Sequence, residues 1–175
     1  VVVMDPYTGD LLAMAQTPTF DPNQFRSSKP SDWRNRLITD VLEPGSTIKP
    51  LLVAAALDAK VVRSDAIFDG HKGRIRVGRK VITDVHPEKR LHLLDIIKVS
   101  SNVGAVQVAQ RLGKERWYQY LRAFGFGRKT PLAMRGEQQG ILRSSRKWGQ
   151  IHLATSSYGY GFSATPIQMA RAYSV

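Results

Sequence analysis

The sequence predicts a mixed α/β chain, with an antiparallel hairpin at its start, short β-type stretches near its middle and helices over most of the remainder. Three observations carry this. Residues 1–4 are a β-branched apolar run, the turn-forming Asp5-Pro6-Tyr7-Thr8-Gly9-Asp10 follows, and residues 11–15 are apolar again. The run Leu51-Leu52-Val53-Ala54-Ala55-Ala56-Leu57 has the composition of a helix buried nearly all round. Gly113 and Gly125 close two later helical runs.

Residues 17–36 hold three prolines and many polar groups, which reads as a long loop. Pro44-Gly45 breaks the chain, and a helix is expected over 46–59. Pro50 lacks an N–H and is tolerated only in a helix's first turn, so it places the helix start near Ser46. Residues 74–77 and 80–83 read as short strands bounded by Gly73, Gly78 and Asp84. Helices are expected over 91–99, 102–112 and 115–124, then a Gly-, Arg- and Ser-rich loop over 125–150. A tight bend with two glycines falls within 152–164. Thr165 reads as the N-cap of a last helix, with Pro166 at its first position.

The 175 residues suffice for one domain with a real core. Lys and Arg outnumber Asp and Glu by 26 to 14, and the resulting net charge of +12 favours polyanions. The basic residues are nevertheless dispersed, and short clusters such as 143–147 lack interleaved aromatics, so nucleic acid is not an expected partner. The absence of cysteine excludes disulfides and thiol chemistry. His71, His86, His92 and His152 show no metal-ligand spacing, and no metal or cofactor is expected. No apolar run approaches the ~20 residues of a membrane span, and no signal peptide is visible. The chain opens on a strand and stops at Val175 inside a helical pattern, so the expectation is a piece of a longer protein whose anchor lies elsewhere.

The leading chemical signal is Glu43-Pro44-Gly45-Ser46-Thr47-Ile48-Lys49-Pro50. Gly45 permits a sharp turn into the helix. Ser46 then sits at a helix start, where unpaired N–H groups and the dipole favour developing negative charge. Lys49, three residues on, shares its face. A lysine in a dry site can lose its proton and take one from a serine hydroxyl. Ser144-Ser145-Arg146-Lys147 has the same Ser-x-x-Lys spacing, but it lies in a basic polar loop with no buried helix behind it and reads as solvated surface. Ser100-Ser101-Asn102 is the one Ser-x-Asn of the chain and falls between two helical runs. It could be a plain capping pair. Taken alone, the motif fits that common use best; alternatively, Ser100 could relay a proton, and Asn102 could offer a substrate amide both a donor and an acceptor.

Both motifs in this order, 54 residues apart, match a known pair. The stretch 42–50 resembles the active-serine segment of class B penicillin-binding proteins. Asp84-Val85-His86 with Lys98-Val99-Ser100-Ser101-Asn102-Val103-Gly104 resembles their second-motif segment. Tyr158-Gly159-Tyr160-Gly161 and Thr165-Pro166-Ile167-Gln168 resemble their Gly-rich turn and following helix, and residues 5–15 their first hairpin. Glu43 before Pro-Gly-Ser, and Val-Gly after Asn102, point to the septal branch.

The resemblance implies an antiparallel sheet flanked by helices, of the penicillin-binding transpeptidase and serine β-lactamase type, of which residues 1–175 would be the N-terminal portion. It implies a peptidoglycan D,D-transpeptidase with Ser46 as nucleophile, Lys49 as base and Ser100 as relay. Asn102 would hold the substrate amide, and Val85 and Tyr160 would stand on the cleft rim. Implied partners are stem peptides, β-lactams and membrane proteins of a division complex. The implied location is the cytoplasmic membrane, with this domain on its outer side. The family's Lys-Thr/Ser-Gly motif is absent, since Lys129-Thr130 is followed by Pro131, and it is expected beyond Val175. Two other readings compete: a β-lactam-hydrolysing or β-lactam-sensing relative, and a non-catalytic basic module. Gly159-Tyr160-Gly161-Phe162-Ser163-Ala164 also fits a dinucleotide fingerprint, but no βαβ unit surrounds it.

Overall fold

A computed structural model of the chain describes residues 1–174. The last helix ends at Ala172, short of the expected continuation, and Val175 lies outside the described residues. The chain divides into two compact units.

One unit comprises residues 1–42 and 124–141 and the chain from Ser163 on. The expected hairpin is present: β1 (Val2–Met4) pairs antiparallel with β2 (Leu11–Met14). Asp5 shapes its turn by accepting from the N–H groups of Tyr7 and Thr8. The segment read as loop contains two 3-10 turns, Pro22–Ser27 and Pro30–Asp32, and a short helix α1 (Arg36–Thr39) follows, capped by Asn35. Thr165 caps the last helix, α7 (Pro166–Ala172), as expected, and Gln168 reaches back to the Thr165 N–H at 2.8 Å. Helix α7 packs on β1 and on α1.

The other unit, residues 43–123 and 142–162, holds the matched motifs. A 3-10 turn, Gly45–Ile48, leads into α2 (Lys49–Asp58). The expected helix therefore begins as a tighter turn, and regular α geometry starts at Lys49. Two ribbons follow: β3 (Ile67–Asp69) pairs with β6 (Arg90–His92), and β4 (Arg74–Val77) pairs with β5 (Lys80–Thr83). The helix expected from residue 91 starts two residues later, as α3 (Leu93–Lys98). Pairing with β3 holds Leu91 and His92 extended, and the His92 N–H donates to Asp95, which ties off the helix start. Helices α4 (Asn102–Leu112) and α5 (Lys114–Ala123) lie where the sequence places them, with Gly113 at φ +82° between.

Besides the short α1, one further helix was not anticipated. Residues 150–156 form α6 (Gln150–Ser156), its amphipathic pattern obscured by Thr and Ser. This removes the dinucleotide reading, which requires a strand before the glycines. The sheets are three separate two-stranded ribbons, so the broad helix-flanked sheet implied by the resemblance appears only as small antiparallel pieces.

Helix α4 is the hub of this unit, packing on α2, α3, α5 and α6. Its buried stripe includes Val103, Val106, Val108 and Leu112. Gly104 lets α3 approach closely, because a Cβ there would lie 2.6 Å from Ile96 Cγ1. On α5, Trp117 is fully buried, and its indole N–H donates to Ser156 Oγ at 3.2 Å. Val77 and Ile82 anchor the β4–β5 ribbon against Val106, Ala154 and Tyr158.

Candidate active site

Ser46 lies exposed in the 3-10 turn ahead of α2. Gly45, at φ +60°, provides the left-handed backbone that aims this turn. In the first turn of such a segment the N–H groups have no partner within the helix, and here they belong to the serine and its neighbours. One turn on, Lys49 is a fully buried side chain. Its ammonium has three donors and three acceptors: Ser100 O at 2.5 Å, Asn102 Oδ1 at 2.9 Å and Ser100 Oγ at 3.0 Å. Burial pushes the Lys49 pKa down to about 8 from the ordinary 10.5, and the Asp84 carboxylate opposes that shift.

The arrangement brings Lys49, Ser100 and Asn102 together as expected. Their shared helical face predicts a direct Ser46–Lys49 hydrogen bond, and the structure does not form it. The Ser100–Asn102 segment takes all three Nζ donors, and Ser46 is not among the partners. Ser100 is itself unusual, with φ at +56° in a non-glycine residue. That conformation turns both its carbonyl and its hydroxyl toward the same ammonium. Asn102 is also more committed than expected. While Oδ1 serves Lys49, Nδ2 donates to Thr83 O at 3.0 Å, leaving one N–H and one lone pair for a ligand.

Asp84 organises this cluster, a role the sequence did not disclose. Its Oδ1 accepts from the N–H groups of Asn102, at 2.5 Å, and Val103, at 3.0 Å, while Oδ2 accepts from Ser101 Oγ at 2.6 Å. A carboxylate thus sits on the first turn of α4, where the dipole favours it. Ser101 Oγ in turn caps the Gly104 N–H at 2.9 Å. Asp84 acts across 17 to 19 residues, so no local pattern could reveal it.

A second element holds the serine turn. The Gly45 N–H donates to Gly159 O at 3.1 Å, and Glu43 Oε1 accepts from the Gly161 N–H at 2.8 Å. A Cβ on Gly159 would lie 2.0 Å from Gly45 O, so only glycine permits this approach. The acidic residue ahead of Pro44-Gly45 was visible in the sequence, but its partner was not.

Val85 and Tyr160 have surface side chains, 87% and 49% exposed, and the Tyr160 ring centroid lies 5.7 Å from that of Tyr158. Ser144 and Lys147 lie on a surface turn, as expected, and Ser144 Oγ accepts only from the Arg146 N–H beside it.

A buried lysine one turn from an exposed serine is an arrangement that can support acyl transfer, and comparison with known proteins identifies the family. The penicillin binding protein transpeptidase domain matches residues 1–175. The chain belongs to this family. It is 39% identical over 173 residues to the probable peptidoglycan D,D-transpeptidase PenA of Neisseria gonorrhoeae, which covers 99% of the chain and 29% of that relative. It is 39% identical over 172 residues to the peptidoglycan D,D-transpeptidase FtsI of Escherichia coli, which covers 98% and 29%. Among solved structures, the transpeptidase domain of Burkholderia pseudomallei penicillin-binding protein 3 superposes with a TM-score of 0.87 at 33% identity, covering 99% of this chain and 48% of that one. This transpeptidase-family chain therefore spans under a third of the length of these two curated relatives.

Proposed function

We propose that the protein is a septal peptidoglycan D,D-transpeptidase that works through a Ser46 acyl-enzyme. The observation that carries this reading is the buried Lys49 ammonium, held by Ser100 and Asn102 one turn from the exposed Ser46. With a pKa near 8, about a tenth of Lys49 is neutral at pH 7. Nζ then has a free lone pair. Giving up one of its three contacts frees it to approach Ser46 Oγ one turn away, a rearrangement of the kind that apo active sites commonly require. Ser46 attacks the penultimate D-Ala carbonyl of a stem peptide, and Lys49 takes the hydroxyl proton. Ser100, 3.0 Å from Nζ, passes that proton to the departing D-Ala amine. An amine from a second stem then takes the acyl group, forming the crosslink and restoring Ser46. The Ser46 N–H supplies one donor to the oxyanion. The remaining N–H of Asn102 meets the substrate amide, with Val85 and Tyr160 at the rim.

The same acyl transfer makes the protein a β-lactam target. Relatives named for this reaction support the substrate, and the FtsI match supports a place in division. A membrane anchor, an outer-face location and membrane-protein partners belong to the same reading. Among the described residues, no helix is long and apolar enough to cross a membrane.

The test is covalent labelling of the intact protein by penicillin, followed by mass spectrometry. The adduct is expected on the peptide containing Ser46. Ser46→Ala abolishes it, and Ser144→Ala leaves it in place. An adduct on Ser144 overturns the assignment, and rapid penicillin turnover replaces it with a hydrolase.

A further inference from the structure

The β4–β5 ribbon carries a charge pattern that the catalytic cluster does not use. Residues 71–90 contain seven Lys or Arg against two Asp or Glu, and one of those acids, Asp84, is already committed to the start of α4. The register pairs Arg74 with Thr83, Ile75 with Ile82 and Arg76 with Val81. Cross-strand partners share a face, so Arg74, Arg76, Val81 and Thr83 stand together on one side of the ribbon. The other side is held down by buried Val77 and Ile82. Among the described residues, neither Arg74 nor Arg76 enters an ion pair or a side-chain hydrogen bond. An open groove of about 470 Å³ runs along Arg74, Ile75, Arg76 and Val81.

Two guanidiniums two residues apart on one strand face are only ~7 Å apart at their Cα atoms. They repel each other unless an anion lies between them, and their planar forks match carboxylates in particular. Their placement indicates which anion. Thr83, opposite Arg74, gives its carbonyl to Asn102 Nδ2, and Asn102 Oδ1 accepts from Lys49. The ribbon that carries the two arginines is thus joined through its backbone to the Lys49 cluster, so a peptide held on it lies close to that cluster.

We propose that Arg74 and Arg76 form an anion subsite that binds the side-chain carboxylates of an extended peptide substrate as it enters the site. The proposal rests on the transpeptidase reading and specifies its substrate further. The experiment uses the intact protein and measures how well a peptide slows labelling by fluorescent penicillin. Two peptides ending in D-Ala-D-Ala are compared, one carrying glutamate and the other glutamine at the same position, with each variant's own unprotected rate as its reference. Two such contacts should make the glutamate peptide protect at a concentration about fivefold lower. Salt should narrow the gap. Arg74→Ala with Arg76→Ala should erase it, and Arg74→Lys with Arg76→Lys should restore most of it. Equal protection by both peptides in the wild type, or a gap that survives the double alanine variant, overturns the subsite. So does a double alanine variant that keeps its peptide preference but loses binding to phosphatidylglycerol vesicles, which would assign the face to lipid. Absence of labelling at Ser46 in the wild type defeats the transpeptidase reading instead, and the two failures are distinguishable.

Discussion

At the scale of single residues, the site is governed by how a cation is kept in a dry place. Lys49 has no carboxylate in direct contact, only neutral acceptors and the more distant pull of Asp84. Its folded pKa near 8 lies below the ordinary 10.5, so between these values the unfolded chain binds more protons. Lys49's contribution to stability therefore rises with pH across that interval, and its burial cost is fully felt below about pH 8. For acylation the expected outcome is a penicillin-labelling rate that climbs with pH and levels off above about 8. Asp84→Asn removes the charge that favours the ammonium, so the midpoint should move to lower pH, as stopped-flow labelling across a pH series would show. The same variant weakens the start of α4, at a cost of ~1 kcal/mol in thermal unfolding. The meeting of Lys49 with Ser100 and Asn102 was anticipated from two short motifs, each weak alone, through the family pair that they match together. Asp84's role was not, because a cap supplied from 17 residues away leaves no periodic trace.

At the scale of elements, the Ser46 turn and the Gly-rich turn are tied by one backbone hydrogen bond, Gly45 to Gly159, and one side-chain bond, Glu43 to Gly161. The tie from Glu43 to Gly161 and from Gly45 to Gly159 spans more than a hundred residues of sequence. Glu43→Ala should slow labelling roughly tenfold, equivalent to ~1.4 kcal/mol, whereas Glu43→Gln, which keeps an acceptor oxygen, should recover most of it. Gly159→Ala should be more severe, because the added methyl meets backbone on both the N and the O side of Gly45. Rates and melting temperatures measured together would separate a misplaced serine turn from general unfolding. Strands 74–77 and 80–83 and helix 102–112 were readable to the residue, since glycine or aspartate bounded each. Helix α6 and strand β6 were not. Polar Thr and Ser masked the helix, and β6 exists only because β3 lies beside it.

At the scale of the whole molecule, the charge of +12 and the absence of Lys-Thr-Gly or Lys-Ser-Gly within residues 1–175 matter most. The Ser46 N–H is one donor to a developing oxyanion, and a second donor is needed for full stabilisation. Residues 1–175 expressed alone should label with penicillin at least ~10²-fold more slowly than a transpeptidase relative that carries such a motif. Labelling at comparable rates would show that the second oxyanion donor comes from within these residues. The class of fold could be read from its hairpin and helices, but the breadth of the sheet could not, because strand partners remote in sequence carry no local mark.

Ser100's left-handed backbone sets stability and function against each other at a single position. A serine at φ +56° costs ~1 kcal/mol relative to a relaxed conformation, a cost that glycine would not bear. Ser100→Gly should thus raise the melting temperature slightly and keep the carbonyl on Lys49, while deleting the hydroxyl 3.0 Å from Nζ. A variant that is more stable yet slower to acylate would show that the hydroxyl is retained against the interest of the fold. A variant that is more stable and equally fast would mean that the proton travels by another route.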